Sequence, residues 1–315
     1  MKITWQDIVI IIVFCFCLLL PYFNSNQEYG KEVDYSGVNI SKPEGRIFYP
    51  LVKDDSINLD MNNIETYYSV LVDLDRVAAD KILLKKSDDK RIPMASITKL
   101  MTAIVVLDNY NLDDEIVINH SDLSVEGNMK SLRVGQALSV RELLYIMLID
   151  SNNGASEALA RKMGRDDFIK KMNDKARLWK MTNTYYFNPS GLDLFAREEA
   201  NMTSVHDLVD LVVTIMRDYP LISEILSLDC SLIQDKNGFY HNLSNTNTLI
   251  NYNERVLWGK TGFTMKANGC LVMVSLPENF LFSQKRYIID IVLGSDDRFE
   301  SMKKIINWHD NQFKW

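Results

Sequence analysis

The sequence holds little histidine and little cysteine, four of each in 315 residues. There is no CxxC and no HExxH, so the common zinc patterns are missing. The histidines, His120, His206, His241 and His309, are scattered and read as ordinary surface or core residues. No internal repeat and no long low-complexity tract is present, which argues against solenoids and arrays. Basic excess is also missing. The net charge is -7, whereas a nucleic-acid partner would want a basic face, so none is expected. Apolar content is 47%, enough for a sizeable core in one large or two small domains.

One long apolar run stands out, IVIIIVFCFCLLL at residues 8–20, extended to 23 by Pro21, Tyr22 and Phe23. It is short for a membrane span but within reach of one if its flanks contribute. A cleaved signal wants small residues at its end, and PYFNSNQEY fits that poorly. The expectation is an uncleaved anchor over 8–23, preceded by a short cytoplasmic stretch, 1–7. Lys2 and the terminal amine oppose only Asp7 there, so the rest of the chain would lie outside the cytoplasm. Cleavage would instead give a secreted protein. Residues 24–60 are polar and aperiodic and read as a tether, leaving 61–315 as the globular domain. Cys15 and Cys17 fall in the apolar run. Cys230 and Cys270 fall in the globular part and are expected to be free and buried.

Periodicity places the elements. ETYYSVLVDLD (65–75) and DKILLKKS (80–87) read as a hairpin. A helix is expected from about Ser96, another over SVRELLYIMLI (139–149) with a Ser139/Glu142 capping box, and more over 154–163, 166–178 and 204–216. RVLWGKTGFT, NGCLVMVSL and RYIIDIVLGS read as three successive strands, and FESMKKIINW as a final helix. The order of strands, many helices, strands and helix predicts an α+β fold, an antiparallel sheet covered by helices.

Chemistry concentrates in PMASITKLMTA (93–103). Ser96 and Lys99 are three residues apart and share a helix face. A serine hydroxyl needs a base to become a nucleophile, and a lysine amine is a base only when neutral. Burial in the apolar surroundings of Leu100, Ile104 and Leu107 would lower its affinity for a proton, as would a second cation nearby. Free N–H groups at the helix mouth could hold an oxyanion. SxxK alone recurs by chance about once in a chain of this length, with Ser96 then a plain cap and Lys99 a surface residue. Two more groups accompany it. SNN (151–153) lies in a loop between helices, and KTG (260–262) lies in a strand whose glycines suggest a close approach of backbone or ligand.

The order SxxK, SxN, KTG resembles that of the low-molecular-mass penicillin-binding proteins, the serine D-alanyl-D-alanine carboxypeptidase family. FNPSGL (187–192), TSVHDL (203–208), NTNTLI (245–250) and GKTGFTMKANGCL (259–271) resemble its other segments, from about residue 64 to the C-terminus. The resemblance implies a β-lactamase/DD-peptidase-like fold with a helical region carrying the SxN loop. It implies Ser96 as nucleophile, Lys99 as general base, Ser151 as proton relay, Asn153 holding the substrate amide and Lys99, and Lys260 supplying positive charge. Thr261, Gly262, Phe263 and Thr264 would form the substrate-pairing strand, with the N–H groups of Ser96 and Phe263 as the oxyanion hole. The implied substrate is the D-Ala-D-Ala end of a peptidoglycan stem peptide, with β-lactams as covalent inhibitors and no metal or organic cofactor. Two positions depart from the family pattern: Asn152, where glycine is usual, and Lys266-Ala267-Asn268. The expected activity is membrane-anchored removal of terminal D-Ala. The rivals are a DD-endopeptidase, a sensor that is acylated without turnover, and a β-lactamase using Glu198 or Glu199.

Overall fold

The computed structural model describes residues 50–53, 59, 61–75, 80–88, 90–127, 132–193, 199–278 and 285–315. These belong to the unit Ile47–Trp315, and the expected segments 1–7, 8–23 and most of 24–60 lie outside them. Among the described residues no helix is long and apolar enough to cross a membrane.

Five stretches rich in β-branched and aromatic residues form the central sheet. They are β1 (Ile64–Asp73), β2 (Lys81–Lys86), β3 (Val256–Thr264), β4 (Asn268–Ser275) and β5 (Arg286–Ser295). The spatial order is β3-β4-β5-β1-β2, antiparallel throughout, so the first and last parts of the chain meet at the centre. Both faces of the sheet are covered. Val70, Val72, Val272, Val274, Ile289 and Ile291 join the large core on one face. Leu271, Met273 and Val292 join a smaller core on the other. This two-sided burial explains why β4 and β5 read as nearly unbroken apolar runs rather than clean alternations.

Apart from the single turn His120–Leu123, the α-helices among the described residues are α1 (Lys99–Asn109), α2 (Val140–Ile149), α3 (Asn153–Arg161), α4 (Arg165–Leu178), α5 (Val205–Asp218), α6 (Pro220–Leu226) and α7 (Arg298–Gln312). The Ser139/Glu142 capping box opens α2 as expected. Helix α7 supplies Met302, Ile305 and Ile306 to the smaller core. The larger core holds α1 and α2, most of whose side chains are buried.

Three features differ from the sequence expectation. Ser96 does not open an α-helix: Ala95–Thr98 is a 3-10 turn, and the α-helix begins at Lys99. Second, Cys230–Gln234 and Tyr240–Ser244 form a hairpin that periodicity did not reveal, and its outward face exposes Cys230, so of the two cysteines among the described residues Cys270 is buried and Cys230 is not. Third, Leu51–Val52, within the expected tether, pairs with Phe313–Lys314 at the end of the chain.

Candidate active site

The 3-10 turn sits against the free edge of the sheet. Strand β3 is the terminal strand, and a Cβ added at Gly262 would lie 3.0 Å from both Met94 O and Ser96 N. Only a glycine lets strand and turn come this close. Lys260, Gly262 and Thr264 share one face of β3, so all three point to the side where the turn lies.

Lys99 is fully buried at the start of α1. Its Nζ lies 2.8 Å from Ser96 Oγ, 2.7 Å from Asn153 Oδ1 and 2.7 Å from the Ser190 carbonyl. Asn153 Nδ2 donates to the Glu126 carbonyl at 2.6 Å, which turns its Oδ1 toward Lys99. Burial, and secondly the charge of Lys260, hold the Lys99 amine well below its ordinary 10.5, opposed by Glu157. A neutral amine has two N–H groups and one lone pair. Asn153 Oδ1 and Ser190 O can only accept, so they take the two N–H groups and the lone pair is left for the Ser96 hydroxyl proton. The geometry is that of a base poised on a nucleophile.

Lys260 is the second buried amine. It donates to Ser151 Oγ at 2.8 Å and to the Thr261 carbonyl at 3.0 Å. Burial, then the charge of Arg298, bring it down to about 7. Ser151 has φ 56, a left-handed conformation that costs a non-glycine residue about 1–3 kcal/mol. Strain of this kind clusters at functional sites. Asn152 is fully buried and caps α3, accepting from Ala155 N at 2.9 Å. The departure from glycine at this position therefore has a local structural use.

Thr261 Oγ1 lies 2.6 Å from Thr246 Oγ1. The Thr261 carbonyl faces the free edge, since it accepts from Lys260. In a strand the N–H of Phe263, two residues on, has the same sense. The Phe263 side chain is 58% exposed on the other face. Thr264 does not present a free hydroxyl: it donates to Asp193 Oδ1 at 2.9 Å and accepts from Ala267 N at 3.1 Å. Of the rival carboxylates, Glu198 lies outside the described residues and Glu199 has Oε2 buried without a hydrogen-bond partner. Among the described residues no group of three or more His, Cys, Asp or Glu could hold a metal ion.

Sequence reasoning named Ser96, Lys99, Ser151, Asn153, Lys260 and the 261–264 strand, and the structure joins Ser96 and Asn153 to Lys99, joins Ser151 to Lys260, and sets Gly262 against the turn that carries Ser96. It missed the acceptors supplied by backbone, Ser190 O and Glu126 O, and the carboxylates Glu157 and Asp193. A carbonyl carries no sequence signal. FNPSGL was visible as a segment, but its Lys99 contact is not local.

A serine held on a buried lysine whose proton affinity is lowered, at the edge of an antiparallel sheet flanked by helices, defines a class: serine hydrolases of the SxxK type. A profile described as D-alanyl-D-alanine carboxypeptidase, peptidase S11, matches residues 56–296, and the chain belongs to this family. It is 39% identical over 199 residues to a D-alanyl-D-alanine endopeptidase of Pseudomonas aeruginosa, covering 61% of this chain and 62% of that one. It is 29% identical to the D-alanyl-D-alanine carboxypeptidase DacF of Bacillus subtilis, covering 66% of this chain and 53% of that one. The chain thus spans only part of each relative's length. Among solved structures, penicillin-binding protein D2 of Listeria monocytogenes, bound to ampicillin, is similar with a TM-score of 0.66 at 26% identity, covering 80% of this chain and 98% of that one.

Proposed function

We propose that this protein is a serine DD-peptidase that cuts peptidoglycan stem peptides through an acyl-enzyme on Ser96. One observation carries the reading: the fully buried Lys99 amine lies 2.8 Å from Ser96 Oγ with its two other contacts taken by obligate acceptors. Ser96 Oγ attacks the D-Ala carbonyl while its proton passes to Lys99 Nζ. The N–H groups of Ser96 and Phe263 hold the developing oxyanion. The C–N bond breaks as the proton held by Lys99 is relayed through the Ser151 hydroxyl, itself held by Lys260, to the leaving amine, which returns Lys99 to its neutral form. Water then cleaves the ester. The chemistry needs no metal and no organic cofactor. A substrate peptide would lie along the free edge of β3 as an added strand.

Removal of a terminal D-Ala is the simplest activity of such a site. The second reading, cleavage of cross-links, is favoured by the 39% identical relative, which is named an endopeptidase. In both readings residues 8–23 anchor the chain and the catalytic domain lies outside the cytoplasm.

The test is intact-protein mass after mixing the protein with benzylpenicillin, with Ser96→Ala as control. A persistent Ser96-dependent adduct is expected. A rapidly lost adduct would move the reading to a β-lactamase, and no adduct would sink the acyl-enzyme. Matched linear and cross-linked stem peptides then separate carboxypeptidase from endopeptidase. Acylation without cleavage of either would indicate a sensor.

A further inference from the structure

Asp193 is not part of the acyl-transfer machinery, yet it ties two parts of it together. Its Oδ1 accepts from Thr264 Oγ1 at 2.9 Å, and its Oδ2 accepts from Lys266 N at 3.0 Å. Thr264 directly follows Phe263, whose N–H is half of the oxyanion hole in the proposed mechanism. The other half, Ser96 N, belongs to the 3-10 turn.

The segment that carries Asp193 also grips that turn. Gly191 has φ 88, and a Cβ there would stand 2.0 Å from Ala95 O. Ser190 O accepts from Lys99 Nζ at 2.7 Å. Within the four residues 190–193, Ser190 thus touches the base, Gly191 the backbone just before the nucleophile, and Asp193 the end of β3. The segment itself is fixed. Asn188 Oδ1 accepts from Gly191 N at 2.6 Å. Asn201 Nδ2 donates to Asn188 O at 2.8 Å and to Thr98 Oγ1 at 2.9 Å, and Asn201 Oδ1 accepts from Phe187 N at 2.7 Å. A carboxylate on so well-determined a loop can hold the strand end at a set distance from the turn.

We propose that Asp193 is a positioning residue: by holding Thr264 and Lys266 it sets the gap between Ser96 N and Phe263 N, and so the fit of the oxyanion hole. The physical premise is that oxyanion donors act only at hydrogen-bond distance from where charge develops. Losing one such donor outright costs about 10²–10³ in rate, and a displaced donor costs part of that. The proposal rests on the acyl-enzyme reading.

The experiment is the acylation of the full chain by benzylpenicillin, resolved into the pre-covalent dissociation constant and the first-order acylation rate, together with the melting temperature. Asp193→Ala should acylate about ten- to a hundred-fold more slowly with a nearly unchanged dissociation constant, as expected for an interaction made only in the transition state. Asp193→Asn keeps one acceptor oxygen, for Lys266 N, and can turn its amide N–H toward Thr264 Oγ1 as a donor, so both ties can re-form and much of the loss should be recovered. A merely structural role would lower the melting temperature without this split and without rescue. A folded Asp193→Ala protein acylating at the wild-type rate overturns the proposal, as does a loss carried equally by the dissociation constant. If Asp193→Ala does not fold, Thr264→Val decides. It removes one of the two ties, and a several-fold slower acylation at unchanged dissociation constant supports the proposal, whereas an unchanged rate overturns it. Absence of any Ser96 adduct in the wild-type protein overturns the acyl-enzyme reading and this proposal with it. A normal wild-type adduct beside unaffected variants overturns this proposal alone.

Discussion

Lys99 and Lys260 are both buried at the cleft, and the positive charge of Lys260 helps to keep a proton off Lys99. Two amines near one another cannot both stay charged cheaply in a water-poor site. Their environments divide the work: one is bonded so that its lone pair meets Ser96, the other so that it supports Ser151.

Acylation should therefore depend on pH through both amines. Lys260 is cationic below about pH 7 and neutral above it. The kcat/KM for a peptide ending in a carboxylate should fall as pH rises through about 7, and fall less for the matching carboxamide, because kcat/KM reports the free enzyme. Lys260→Met removes the charge that depresses Lys99, so the rising limb should move to higher pH. A pH–rate profile of wild type and variant checks both, and a rising limb that stays in place would refute the coupling.

Lys99→Ala should abolish acylation of Ser96 while leaving the fold. General bases of this kind contribute about 10²–10⁴ in rate, and the loss should reach that range. The variant strands Asn153 Oδ1 and Ser190 O, at about 1–3 kcal/mol for an unsatisfied buried polar group. It also removes a desolvated amine, which offsets the cost. Penicillin labelling followed by mass, beside a melting curve, measures both. Undiminished labelling in a folded variant would rule Lys99 out as base.

Gly191→Ala should destabilise the protein by about 2 kcal/mol or more and cut acylation with it. The new methyl would meet Ala95 O at 2.0 Å in a backbone conformation, φ 88, that disfavours a side chain. Denaturant unfolding gives the first number, and penicillin labelling the second. An unchanged unfolding midpoint would contradict the close approach.

On the far face of the sheet Ser69 Oγ lies 2.8 Å from His309 Nε2, with Asp290 beside them, all buried. Burial pushes Asp290 up to about 7 and His309 down to about 3. Between pH 4 and 7 the folded protein keeps a proton on Asp290 that the unfolded chain releases. Stability from this group is therefore present at low pH and lost as pH rises through about 7. His309 works in the opposite sense, losing stability as pH falls below its ordinary value, but it is common to wild type and variant. Asp290→Asn should thus raise the melting temperature relative to wild type more at pH 8 than at pH 5, by several degrees, since each kcal/mol is worth about 2–4 °C in a domain of this size. A difference that does not grow with pH would mean that Asp290 stays ionised.

Much of this architecture was legible locally. β4 and β5 announced themselves as apolar runs bounded by turns, and the Ser139/Glu142 cap marked α2. Ser96 and Lys99 could be paired because three residues on a turn of helix share a face. Even with the turn 3-10 rather than α, the pairing held, because either helix brings i and i+3 together. The Cys230–Ser244 hairpin was not legible, because half of its residues face water and leave no apolar run to read.

The sequence by itself determined the chemical groups, their order along the chain and the secondary structure that presents them, because those depend on neighbours a few residues apart. Tertiary structure alone decided which groups meet. Asn153 reaches Lys99 across 54 residues and Ser190 across 91, and Lys260 reaches Ser151 across 109. It also decided that Lys99 holds its proton less tightly than an ordinary lysine, because burial and the second cation that those long-range contacts create both lower its proton affinity.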